Sequence, residues 1–291
     1  MAIFRGCKEL SFTKEVGNRP VSVLGVVLML GMFPFVWQWI CSAQSPEIRE
    51  ISSSAEPAER PSPFPAGTVL PMRLEGDIVV KETQKGQAIA ARITQDVPLP
   101  DKVKIPIKSM VRGSVVSVEK DPEGEGVLVT LKFNQLEMRK EAPVTISTYL
   151  RAMASYSAVR AAQTPRSGAD VGTPTGWADT TQIGGDTRFG DGGEVRGAGK
   201  QNVGKGVLGG VLVHVKANPA RGCEGPVNGD DHLQALWVFS ANACGVYDLK
   251  GTKIAHTGKS APIGEFSLHF EKIDMKLEDG TAFLLRISPQ P

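Results

Sequence analysis

Residues 127–134 read Val-Leu-Val-Thr-Leu-Lys-Phe-Asn. Val127, Val129, Leu131 and Phe133 fall on one side of an extended chain. Leu128, Thr130, Lys132 and Asn134 fall on the other, the period of two that a half-buried strand requires. The alternation returns at Val144, Ile146, Thr148 and Leu150, and again at Phe266, Leu268 and Phe270 against Ser267, His269 and Glu271. Ala88–Ile93, Val115–Val118, Val211–Val215 and Phe283–Ile287 are further strand candidates, and Leu233–Phe239 is apolar on both faces. Asp121–Gly126 (DPEGEG) is a turn between two strands. Short alternating runs separated by Gly, Pro and Asp predict a mainly β chain. The expected architecture is a small β-barrel or sandwich formed by segments 64–150 and 207–288.

Composition agrees with this and sets limits. The chain has 291 residues, 41% hydrophobic and 22% charged, enough to bury a core. Its 33 basic and 31 acidic residues leave a net charge of +2, without the basic excess of a nucleic-acid binder. The 32 glycines and 20 prolines are far above the usual share, and they cluster. Residues 44–66 hold five prolines with Ser and Glu and read as an extended tether. Twelve glycines lie in 165–206 with no apolar period, which predicts a flexible insertion or linker. Ala-rich residues 151–163 predict one short helix ahead of it, so 151–206 interrupts a barrel whose two parts are 67–150 and 207–291.

The N-terminal 1–43 reads as a signal peptide or signal anchor. Val21–Ile40 is uncharged and long enough to cross a bilayer as a helix. Arg5, Lys8, Lys14 and Arg19 precede it, which keeps residues 1–19 in the cytoplasm and exports the rest. Cys41-Ser42-Ala43 offers small residues for cleavage before Gln44, and cleavage is the favoured reading. Uncleaved, 21–40 would hold the protein in the inner membrane. Cleavage would leave two of the four cysteines, Cys223 and Cys244, and an oxidising compartment predicts a disulfide between them.

An internal echo links the two parts. Gly67-Thr68-Val-Leu-Pro-Met-Arg73-Leu74 recurs as Gly280-Thr281-Ala-Phe-Leu-Leu-Arg286-Ile287, with a looser copy from Pro106 through Ser109 to Val111. Each copy reads as a tight turn with positive φ, a hydroxyl bonding the turn, and a strand entering the core. Placed side by side, the first and last strands would close a barrel.

These segments also carry a resemblance. Phe64-Pro65-Ala66-Gly67-Thr68, Ala91-Arg92-Ile93-Thr94-Gln95-Asp96-Val97, Ile105-Pro106 through Ser109, and Gly113 look like the β-barrel domain of the TrbI-like family. Asp279-Gly280-Thr281 is similar to that family's closing strand, and Lys108 stands where the family usually has Gly. The family supplies the channel subunit of type IV secretion and conjugation systems. The resemblance therefore implies a membrane-anchored, oligomeric envelope protein. The whole chain is also similar to uncharacterised exported proteins of soil bacteria such as Acidobacteria, whose last strand ends like Phe283–Ile287. For such relatives the fold transfers and the channel function does not.

The sequence holds no catalytic constellation. His214, His232, His256 and His269 lack partners at metal-ligand spacing, and no Gly-x-Ser-x-Gly occurs. His214 and His269 read as partly buried structural residues. Gly197-Ala-Gly-Lys200 lacks the ending of a phosphate loop, and one Gly190-Asp-Gly-Gly193 without repeats is no calcium motif. No cofactor or metal is expected. The leading expectation is an exported, non-enzymatic structural or binding module of the cell envelope, periplasmic or secreted, with envelope proteins or copies of itself as partners. The alternatives are a TrbI-like channel subunit anchored by 21–40, and a periplasmic enzyme acting through Asp230, Asp231 and His232.

Overall fold

The computed structural model describes residues 63–121, 124, 126–164, 179–189, 192–215, 223, 232–255 and 264–288. The predicted N-terminal segment 1–43 and most of the 44–66 tether lie outside the described residues. In chain order the first strands are β1 (Val69–Glu75), β2 (Ile78–Val79), β3 (Ala88–Ile93), β4 (Val97–Pro98), β5 (Lys104–Ile105), β6 (Met110–Lys120), β7 (Val127–Glu137), β8 (Val144–Thr145) and β9 (Thr148–Ala154). One helix, α1 (Tyr156–Gln163), follows. Then come β10 (Asp179–Thr181), β11 (Thr187–Phe189), β12 (Glu194–Arg196), β13 (Asn202–Val207), β14 (Gly210–Val213) and β15 (Gln234–Ala235). The last are β16 (Gly245–Tyr247), β17 (Thr252–Ile254), β18 (Phe266–Phe270), β19 (Lys276–Leu277) and β20 (Ala282–Ile287). The protein is mainly β, as the alternation predicts.

Among the described residues the largest sheet runs β16-β9-β20-β1-β3-β6-β7-β18-β17, with β8 also on β7. It therefore draws strands from both predicted parts. In β7 the four residues of the apolar side, Val127, Val129, Leu131 and Phe133, are all buried, while Leu128, Thr130, Lys132 and Asn134 are partly exposed. β1 and β20 are antiparallel neighbours, Val69 opposite Arg286 and Arg73 opposite Ala282. The two strands of the sequence echo thus lie side by side.

The sheet coils around its core. Phe133 of β7, Phe266 of β18 and Phe283 of β20 meet with ring centroids 6.0–6.3 Å apart. Since β1, β3 and β6 separate β20 from β7 along the hydrogen-bonded order, that contact requires a strong curl. The predicted barrel is corrected in one respect: the sheet is not closed. β7 shares one edge between two partners, giving Val127–Leu131 to β18 and Gln135–Leu136 to β8. The chain leaves that edge through Ile146 N–H to Asn134 O (2.9 Å) and Thr148 Oγ1 to Phe133 O (3.1 Å), then crosses to β20 as β9. No single ladder runs around the core, and the alternation read across Val144–Leu150 is split between two strands.

A second sheet, β10 through β15 in sequential order, covers the outer face of the first. Val69, Ala152, Ala154, Ala282 and Leu284 of the coiled sheet pack there with Val195, Val211, Val213 and Leu236. β9 and β20 consequently have no solvent side, and every residue of both is buried. Gln95 joins the layers, its Nε2 donating to Val211 O (3.0 Å) and its Oε1 accepting from Trp237 N–H.

This second sheet is where structure and sequence expectation diverge most. The flexible insertion expected over 165–206 is, where described, four strands of regular meander. Several of its glycines serve close packing: a Cβ on Gly204 would lie 2.1 Å from Leu212 O, and one on Gly193 only 1.7 Å from Phe189 O. Composition alone cannot distinguish glycine used for flexibility from glycine used for tight backbone approach. The helix expected over 151–163 covers only its second half. Arg151–Ala154 belong to β9, because a run buried on both faces needs no alternation. Of Leu233–Phe239 all but the partly exposed Leu233 are buried, but only Gln234 and Ala235 are strand, and Trp237 takes φ 54° in a turn.

The aromatic trio predicts the cost of opening this core. Phe133→Ala is expected to lower unfolding stability by about 3–5 kcal/mol, read as a drop in the urea midpoint at unchanged slope. A loss under about 1 kcal/mol would show that the three rings do not hold the coil together.

Candidate functional site: hydroxyl turns and a buried arginine pair

The residues singled out by the sequence fall into turns that launch strands. Gly67 has φ 84°, and Thr68 returns to Pro65 O through both its N–H (3.2 Å) and its hydroxyl (2.7 Å). Ser109 does the same to Pro106 O, with N–H at 3.2 Å and hydroxyl at 2.7 Å. Here Lys108 occupies the left-handed position, φ 72°, that glycine occupies in the other copies. Gly280 has φ 82° and Thr281 N–H reaches Glu278 O at 3.0 Å, so the third turn repeats the backbone pattern, but the expected hydroxyl bond is missing: Thr281 Oγ1 is buried without a partner. The three turns feed β1, β6 and β20. Gly113 sits in β6, where a Cβ would lie 2.0 Å from Lys132 O of β7. It lies at a register shift that bends the strand pair.

Thr94-Gln95-Asp96 carries equally local duties. Thr94 bonds Pro71 O through N–H (3.1 Å) and hydroxyl (3.0 Å), and Gln95 bridges the sheets. Asp96 Oδ1 accepts from Ile107 N–H (2.8 Å) and Oδ2 from Lys104, which pins the hairpin carrying the Ser109 turn. All these residues position backbone.

The predicted Cys223–Cys244 disulfide is present, with Cα atoms 5.8 Å apart. The Cys223 sulfur lies 3.5 Å from Arg151 O. Arg151 Nε donates to Ala243 O (2.9 Å), so the bridge and this guanidinium together hold the 241–244 turn against β9.

Beside it lies a feature that sequence reasoning missed. Arg151 and Arg286 both have no exposed surface and head the fully buried side chains by volume. Tyr149 stands opposite Arg286 on β9, its ring centroid 5.9 Å from the guanidinium carbon. Arg151 is the extra residue at a register shift between β9 and β20, which brings it beside Arg286. Burial pushes Arg151 down to about 10, and the neighbouring Arg286 adds to the drop. Burial lowers Arg286 as well, while it raises the Tyr149 hydroxyl above its ordinary value. The signal in the sequence was an arginine inside a run, Phe283–Ile287, that is otherwise wholly apolar. Its twin Arg73 lies at the other end of the antiparallel pair, opposite Ala282. Arg73 is half-exposed and pairs with Glu75 at 3.3 Å.

Of the histidines, His214 is exposed, contrary to the expectation of partial burial, and His269 is partly buried with Nε2 2.8 Å from Asp121. His232 is exposed at the rim of a shallow groove lined by Pro98, Leu99, Lys205, Leu212 and Gln234. Asp230, Asp231 and His256 lie outside the described residues. Gly197–Lys200 is the hairpin turn between β12 and β13. Among the described residues, no three His, Cys, Asp or Glu side chains converge as metal ligands would. Comparison with protein-family models, curated proteins and solved structures finds no match.

Two stability effects follow. Lys108→Gly is expected to stabilise the protein by about 0.5–1 kcal/mol, because a Cβ is disfavoured at positive φ. Thermal unfolding checks this, and destabilisation would mean that the Lys108 side chain contributes more than its backbone costs. The Cys223–Cys244 bridge closes a 21-residue separation. The Cys223→Ser/Cys244→Ser double variant is expected to lose about 3 kcal/mol in a denaturant titration.

Proposed function

We propose that the chain is an exported, non-enzymatic structural or binding module of the bacterial cell envelope. The Cys223–Cys244 disulfide carries this reading. Such bonds persist in oxidising compartments and are rare in the cytosol. The basic-flanked apolar run 21–40 supplies a route to such a compartment. The sequence-distinctive residues act on backbone turns and layer contacts, which supports a scaffold whose partners dock on it. Those partners are envelope proteins or further copies of the chain.

A second reading, a TrbI-like channel subunit held in the inner membrane by 21–40, draws on one observation. The turns at Gly67, at Lys108 (where the family usually has Gly) and at Gly280 share a positive-φ residue and the N–H bond that follows it, and launch β1, β6 and β20. N-terminal sequencing and sizing of protein taken from the native envelope separates the two. A soluble monomer beginning at Gln44 is expected. An intact N-terminus in ring-sized, membrane-bound assemblies would replace the module with the channel subunit.

A further inference from the structure

We propose that Arg286 forms a buried binding site for a small oxyanion, between the outer face of the coiled sheet and the six-stranded sheet. Its side chain leaves β20 on the face of Ala282 and Leu284, which pack against the second sheet. Gln234 of β15 reaches the same place, its Oε1 accepting from the N–H of Val69, directly opposite Arg286.

Arg286 has no exposed surface, and none of its three guanidinium nitrogens has a hydrogen-bond partner. No carboxylate among the described residues pairs with it. A guanidinium does not discharge at ordinary pH, so this is a full positive charge with up to five N–H donors and nothing to receive them. Such a group is among the most costly to bury, and it calls for an anion. The Tyr149 ring meets the charge with its π face, which stabilises a cation but leaves the N–H fork without acceptors.

A second observation points the same way. Ser288, two residues on, continues alongside Ser147, its N–H donating to Ser147 O at 2.8 Å. The i, i+2 relation puts Ser288 on the Arg286 side of the strand. Its hydroxyl is buried and has no partner either. Arg151, beside Arg286, brings a second positive charge to the same part of the structure. The planar fork of Arg286 presents two parallel N–H groups, the match for two oxygens of one anion, and Ser288 adds a third donor. Enclosure by two sheets restricts the ligand to a few heavy atoms: an inorganic oxyanion or the carboxylate of a very small acid. The site holds wherever the protein resides, so it stands apart from the export reading.

Thermal unfolding of the full chain tests it, in chloride at constant ionic strength with phosphate, sulfate or acetate added separately. A saturable rise in Tm is expected. The anion acting at the lowest concentration tells an inorganic oxyanion from a carboxylate. Arg286→Lys keeps the charge but loses the fork, and is expected to weaken the apparent affinity about tenfold or more. Arg73→Gln, at the exposed twin position, leaves it unchanged. No rise, a rise that follows ionic strength alone, or an undiminished rise in Arg286→Lys overturns the proposal. Should Arg286→Lys fail to fold, wild-type protein refolded in each anion and exchanged into chloride is denatured and its released anions quantified. One oxyanion per chain is expected, and none overturns the site.

Discussion

Everything in this fold depends on β9 and β20 being buried on both faces. Their inner side chains, Leu150, Met153, Phe283, Leu285 and Ile287, belong to the core enclosed by the coiled sheet. Their outer ones, Ala152, Ala154, Ala282 and Leu284, belong to the layer beneath the second sheet. Two strands thus serve two cores, and neither core can be lost without exposing the other's wall. Small residues on the outer face let the second sheet approach closely, while large residues on the inner face fill the coil.

The same double burial makes the arginines exceptional. A polar side chain on a strand normally turns toward water, and Arg73, in the matching position of the echo, does so. Antiparallel pairing puts Arg286 at the opposite end of the strand pair, beneath the second sheet. The identical motif therefore yields one ordinary surface ion pair and one buried cation. Arg73 reaches solvent and pairs with Glu75, whereas Arg286 has no exposed surface, and no local property of the motif decides between them.

This explains what could be read in advance. The period-two runs at Val127–Phe133 and Phe266–Phe270 were legible because one face of each meets a less crowded exterior. The pairing of β1 with β20 was foreshadowed by their shared Gly-Thr start, and the disulfide by the two cysteines, Cys223 and Cys244, that lie beyond the 1–43 segment. The second sheet was hidden because its strands are two to six residues long and several carry glycine where backbones touch. Gly193 and Gly204 resemble linker residues in composition while doing the work of close packing. The open edge of the coil was hidden for another reason. The division of β7 between β18 and β8 depends on where the chain crosses at Ile146–Thr148, and a regular alternation continues through that crossing unbroken. The arginine pair was overlooked because its meaning arises only once a second layer is known to cover β20.

The pairing of Val69 with Arg286 has a kinetic side. The central ladder of the coiled sheet joins residues from opposite ends of the described chain, so it cannot form until residues 282–287 have emerged. Loops this long close slowly, and hairpins such as β6–β7 must wait without their final neighbours. Because β20 supplies walls to both cores, neither is complete until the last strand arrives.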